Sequence, residues 1–191
     1  MSREAHSWLC GRSVFGAGGR SNAEATGMTE LWRLSASEIT QKIAAGDLTC
    51  EAVTAACLER IKDREPEVDA WIYLDKGKAL ADARAIDAGP SQGIIHGVPI
   101  GVKDIIDTKD MPTGHGTIIH TQNHPSYDAP CVAQCRAEGG LMLGKTVTSE
   151  FAHLTPGKTK NPHNPAHSPA GSSSGSGAAV ADFMVPVAFG T

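Results

Sequence analysis

Across Glu51 to Arg64, Val53, Cys57 and Ile61 recur at four-residue spacing between polar positions. One apolar stripe of this kind predicts an amphipathic helix, capped by Thr49 and closed by Pro66. Upstream, Ser35-Ala36-Ser37-Glu38 spells a capping box that opens a helix, and Gly46 ends it. A third, alanine-rich helix spans about Lys76 to Ala88 before Gly89-Pro90. After Gly93 the pattern changes. Ile94-Ile95, the run Val98 to Val102, and Ile105-Ile106 read as strand, turn and strand.

Further along, Ala129 to Glu138 suits a helix ended by Gly139-Gly140, Leu141 to Leu143 a buried strand, and Ser149 to His153 a short helical turn. Thr155 to Pro169, with Pro156, Pro162 and Pro165, reads as an ordered surface loop. Gly175 to Asp182 is then helical and Met184 to Phe189 a strand. This alternation implies an α/β fold, a mixed β-sheet covered by helices. Residues 1–27 lack the pattern and read as an unstructured tail or a mis-set start, with a weak transit-like composition as the competing reading. Met28 opens the patterned segment, so residues 28–191 form the domain.

Composition narrows the function classes. With 191 residues, 40% hydrophobic and 20% charged, the chain is long enough for one domain with a sizeable core. A net charge of -4 with scattered basic residues disfavours direct nucleic-acid or anionic-membrane binding. No stretch approaches the ~20 apolar residues that span a bilayer. Five cysteines, Cys10, Cys50, Cys57, Cys131 and Cys135, form no CxxC pair, and their odd number fits a reducing cytoplasm. The spacings of Cys50 with Cys57 and of Cys131 with Cys135 place each pair on a core-facing helix side.

Two segments carry candidate chemistry. Lys103 ends the apolar run Val98-Pro99-Ile100-Gly101-Val102, where poor solvation disfavours an ammonium and makes the amine available as a base. The run Pro169-Ala170-Gly171-Ser172-Ser173-Ser174-Gly175-Ser176-Gly177 offers hydroxyls for proton transfer and lets backbone approach a ligand. Gly139 to Thr146 matches GxxxxGK[ST] letter for letter, yet Leu141-Met142-Leu143 fills its middle and a helix precedes it, which suits a strand better than a phosphate cradle. Lys145 is then structural or a polar residue at a strand end. His120 with His124 and His163 with His167 have i, i+4 spacing, but Pro125 and Pro165 interrupt any helix that would converge them on a metal. His115, between Gly114 and Gly116, reads as a solvated loop residue.

Three blocks, Gly97 to Asp104, Gly144-Lys145-Thr146 with Glu150-Phe151-Ala152, and Pro169 to Ala181, occur in the order and spacing of the amidase signature family. Over about Met28 to Thr191 the chain resembles the N-terminal part of such an enzyme, and Gly190-Thr191 looks like the start of the next motif. The resemblance implies the amidase-signature fold, incomplete in this chain. It implies Lys103 as the catalytic lysine and Ser172 as the bridging serine held by a cis peptide bond, with Ser173 hydrogen-bonding nearby in the substrate and oxyanion region. Ser176 caps or packs the helix that follows. Ala170 stands where the family's first glycine is usual, Ser174 replaces a glycine, and Gly177 stands where alanine is common.

The implied activity is hydrolysis of a linear amide, a small-molecule substrate, by a Ser-Ser-Lys triad with neither metal nor organic cofactor. The family's nucleophilic serine lies in a Gly-Gly-Ser or Ala-Gly-Ser element beyond the Gly-Thr pair. That element is absent, so residues 1–191 alone are expected to be inactive, with the last strand presenting an unpaired edge. Two alternatives stand beside this reading: the amidase subunit of a tRNA-dependent amidotransferase, and a truncated, non-catalytic remnant. Oligomeric state stays open, a homo-oligomer included.

Overall fold

A computed structural model describes residues 30–191. The expectations for residues 1–27 and for Cys10 lie outside the described residues. Helix α1, Ala36–Ala45, begins with the anticipated capping box: the Ser35 hydroxyl accepts from the Glu38 amide and the Glu38 carboxylate accepts from the Ser35 amide. Gly46 ends it at φ 79°, a conformation glycine adopts without a steric cost. Thr49 caps α2, Cys50–Val68, whose Val53, Cys57 and Ile61 stripe is fully buried or nearly so.

Pro66 does not close α2 as expected; it sits inside the last turn. Proline removes one backbone donor, but the buried Val68 anchors the turn, and the Glu65 carboxylate accepts from the amides of Ala70 and Trp71 just beyond it. Those bonds lead into β1, Trp71–Tyr73, a strand too short for any alternation to announce it. Helix α3, Lys76–Ala88, follows, capped by Asp75.

Strand β2, Pro99–Lys103, and strand β3, Leu141–Thr146, are buried at every position. Alternate side chains of a strand point to opposite faces, so both faces of this sheet are covered. Helix α4, Pro130–Ala137, packs on β3, α2 packs on β2, and α5, Ser174–Ala181, contacts both strands. The sheet order is β1-β3-β2-β4, where β4 is Val187–Ala188. β2 runs parallel to β3 and to β4, and β1 runs antiparallel to β3, so the sheet is mixed. β1 and β4 are its edges among the described residues.

Three further expectations are corrected. Ile105-Ile106 is a turn rather than a strand: the Ile106 amide bonds back to the Lys103 carbonyl, and the Ile106 carbonyl accepts from Lys145. The strand expected over Met184 to Phe189 shrinks to two residues, because Pro186 has no amide to donate. Of the cysteines, Cys50 and Cys57 are buried, but α4 buries Val132 and leaves Cys131 exposed and Cys135 partly so.

Candidate active site

Lys103 is the last residue of β2, and its side chain is entirely buried. Its Nζ donates to Ser172 Oγ at 2.7 Å and to Thr191 Oγ1 at 2.5 Å. Among the described residues no carboxylate bonds to it, and burial pushes its ammonium below the ordinary lysine value of 10.5. Ser172 is held two residues before α5 by a cis Gly171–Ser172 peptide bond. The Ser149 amide, from the segment after β3, donates to the Ser172 carbonyl at 2.9 Å. Ala170 adopts φ 68°, a left-handed conformation costing an L-residue about 1–2 kcal/mol, where the resemblance calls for glycine.

Ser173 does not bond to Lys103 or Ser172. Its Oγ accepts from the Thr191 amide at 3.1 Å and donates to the Thr191 carbonyl at 3.3 Å, which steers the Thr191 hydroxyl toward Lys103. Thr191 is therefore part of the site, although its sequence position marked it only as the edge of a motif. Ser176 packs the helix against the sheet, bonded to Thr146 Oγ1 at 2.7 Å and donating to the Phe189 carbonyl at 2.6 Å.

Two cavities flank the segment after β3. One, of about 410 Å³, is lined by Ser149, His153, Leu154, Gly157, Ser172 and Ser174, among others. The other, of about 510 Å³, includes Asp104, Thr117, Ile118, Val147, Gly157 and Lys158 in its wall. Asp104 points away from Lys103 and accepts from the Gly114 amide at 3.0 Å.

Lys145, also fully buried, donates to the Ile106 and Pro112 carbonyls and to Thr113 Oγ1, and lies 3.7 Å from Asp104. Burial pushes its ammonium down to about 8 against the opposing pull of Asp104, while burial raises the Asp104 carboxyl. All three of the ammonium's protons are thus engaged inside the fold. A Cβ at Gly144 would stand 2.6 Å from the Tyr73 carbonyl oxygen, so this glycine serves the β1–β3 crossing and not a phosphate. His115 is half-buried, stacked on Phe151 and edge-on to His120 with ring centroids 5.3 Å apart, rather than solvated in a loop. Among the described residues no group of three or more histidines, cysteines or carboxylates could hold a metal ion, and no helix is long and apolar enough to cross a membrane.

The family model described as Amidase matches residues 52–191. A glutamyl-tRNA(Gln) amidotransferase subunit from Acidothermus cellulolyticus is 42% identical over 174 residues, covering 86% of this chain and 34% of the relative. Its counterpart from Thermobifida fusca is 40% identical, with 86% and 35% covered. Among solved structures, the peptide amidase of Stenotrophomonas maltophilia superposes with a TM-score of 0.75 at 34% identity, over 81% of this chain and 35% of that one. An amidase family protein from Bacillus anthracis gives 0.77 at 28% identity, over 86% and 36%. The chain spans about a third of the length of the curated relatives it matches. A family match over most of the chain, together with these relatives and the mixed helix-covered sheet, establishes that the chain belongs to the amidase signature family.

Proposed function

We propose that residues 30–191 carry the base and the proton relay of an amide hydrolase. The observation that carries this reading is the 2.7 Å contact between the fully buried Lys103 Nζ and Ser172 Oγ. A lysine without a carboxylate partner among the described residues, whose charged form is disfavoured by burial, is suited to take a proton from a neighbouring hydroxyl. In the proposed sequence neutral Lys103 accepts the Ser172 proton as Ser172 accepts that of a nucleophilic serine, which adds to the amide carbonyl. The tetrahedral intermediate collapses as the proton returns along the same path to the leaving amine, and water then releases the acyl group.

On this reading the activity requires these two residues joined to a Gly-Gly-Ser or Ala-Gly-Ser element that supplies the nucleophilic serine. The substrate is a small linear amide, and the cycle as written uses neither metal nor organic cofactor. The four described cysteines carry free thiols, which supports a reducing cytoplasm as the site of action.

The test is amide hydrolysis by the protein expressed from its full reading frame. Lys103→Ala and Ser172→Ala are each expected to lower kcat/KM by about 10²–10⁴-fold. Activity that survives both would overturn the proposal. A second reading, the amidase subunit of a tRNA-dependent amidotransferase, is favoured by the names of the curated relatives. It predicts glutamine-dependent turnover and co-purifying partner proteins, neither of which a stand-alone amidase needs.

A further inference from the structure

The cavity of about 410 Å³ that holds Ser172 has one ionisable side chain in its wall, His153; among the described residues no aspartate, glutamate, lysine or arginine lines it. His153 is exposed, and only its backbone is engaged: its amide donates to the Glu150 carbonyl at 2.8 Å and its carbonyl accepts from Ser149 Oγ at 2.7 Å. The imidazole has no hydrogen bond, ion pair or ring contact among the described residues. By contrast His96 accepts from the Gln92 amide, His124 bonds to the Gln122 carbonyl, and His115 and His120 pack on each other. Those four rings serve the fold; the His153 ring is free for a ligand.

Ser168 stands in the same wall and is also exposed. Its Oγ accepts from the Ala170 amide at 3.1 Å, so its own O–H proton is left to donate. An imidazole likewise donates from one ring nitrogen when neutral and from both when protonated. Leu154, 86% exposed, and Pro156 add exposed apolar surface to the lining. A wall with spare donors, no carboxylate and an apolar stretch suits a ligand that has a hydrocarbon body and an anionic, acceptor-rich end.

We propose that His153 and Ser168 are substrate-binding residues that donate to a carboxylate on the acyl chain of the substrate. The preferred amides are therefore monoamides of short dicarboxylic acids. This rests on the amidase reading, because that reading places the scissile carbonyl beside Ser172 in the same cavity.

The experiment compares succinamate, glutaramate and adipamate with butanamide, pentanamide and hexanamide, the plain amides of equal chain length, using the protein expressed from its full reading frame. The wild type is expected to favour one acid over its plain amide in kcat/KM. His153→Ala should cut that ratio about tenfold and Ser168→Ala about threefold, since each removes a hydrogen bond to a charged group. His153→Lys, which keeps a donor and supplies a cation, should retain most of the ratio, and His153→Leu serves where the alanine variant fails to fold. A wild type without preference for any acid, a ratio unchanged in either alanine variant, or equal losses on all substrates overturns the proposal. Should the wild type hydrolyse none of these amides, the hydrolase reading fails separately, and calorimetric titration with the same compounds decides the binding claim. Tighter binding of an acid than of its plain amide, lost in His153→Ala, supports it, and equal binding of the two overturns it.

Discussion

In the proposed role Lys103, buried at the end of a strand, must lose its proton before it can accept one, and the pH dependence of the reaction should report this directly. Among the described residues Lys103 has hydroxyls as side-chain partners and no carboxylate, so burial lowers its pKa from 10.5 without an opposing ion pair there. The neutral fraction grows as pH rises, hence kcat/KM should climb with unit slope on its acid limb, with its midpoint below 10.5. A rate profile of the full-length protein checks this; a midpoint at or above 10.5 would contradict the role given to burial. Lys145 is a useful contrast. It is as deeply buried, but Asp104 lies near it and two backbone carbonyls and Thr113 take its protons, so it fastens the loop after β2 to the sheet. The contact between Lys103 and Ser172 was legible in the sequence because each sits in a block of distinctive residues. The partnership with Thr191 was not, since a lone threonine carries no local signal of the fold that brings it to a lysine 88 residues away.

The elements that hold this pair depend on glycines of opposite kinds within one helix. At Gly175 the first turn of α5 presses on the β1–β3 junction, and an added Cβ would stand 2.3 Å from both the Ala70 carbonyl oxygen and the Val147 amide nitrogen. Backbone atoms on both sides cannot yield, so Gly175→Ala is expected to displace α5, and Ser172 with it, costing several kcal/mol or preventing folding. At Gly177, two residues on, nothing lies within 4 Å of an added Cβ. Gly177→Ala should therefore stabilise the helix by up to about 1 kcal/mol through propensity alone. Denaturant unfolding of the two variants measures both effects, and a neutral Gly175→Ala would refute the packing argument. Helices of this size were visible in the sequence through caps and stripes. β1 was not, because a strand of three residues is defined by its partner and leaves too few positions for alternation, and β4 was read as a strand but over Met184 to Phe189, longer than its two residues.

At the scale of the whole molecule, the mixed sheet brings together three stretches far apart in the chain: the end of β2, the turn before α5 and the segment after β4. Their hydrogen bonds join two hydroxyls to one amine, and one of those hydroxyls belongs to a serine on the cavity wall. Two chemical outcomes follow for residues 1–191 expressed alone. If Ser172 only relays protons, no group remains to attack a carbonyl, and the polypeptide should show no amide hydrolysis above the buffer rate. If Ser172 can itself attack, a Ser–Lys dyad would give measurable turnover that both Ser172→Ala and Lys103→Ala abolish. The bonding favours relay, because Ser172 Oγ is drawn toward a buried amine, its carbonyl is clamped by the Ser149 amide, and its hydroxyl has no second side-chain base. If the proposed relay holds, the expected result is silence from residues 1–191 and activity only where they are joined to a segment that supplies a nucleophilic serine, measured by ammonia release from small primary amides under identical conditions. Turnover by the shorter polypeptide that depends on both residues would make Ser172 the nucleophile and recast the site as a dyad.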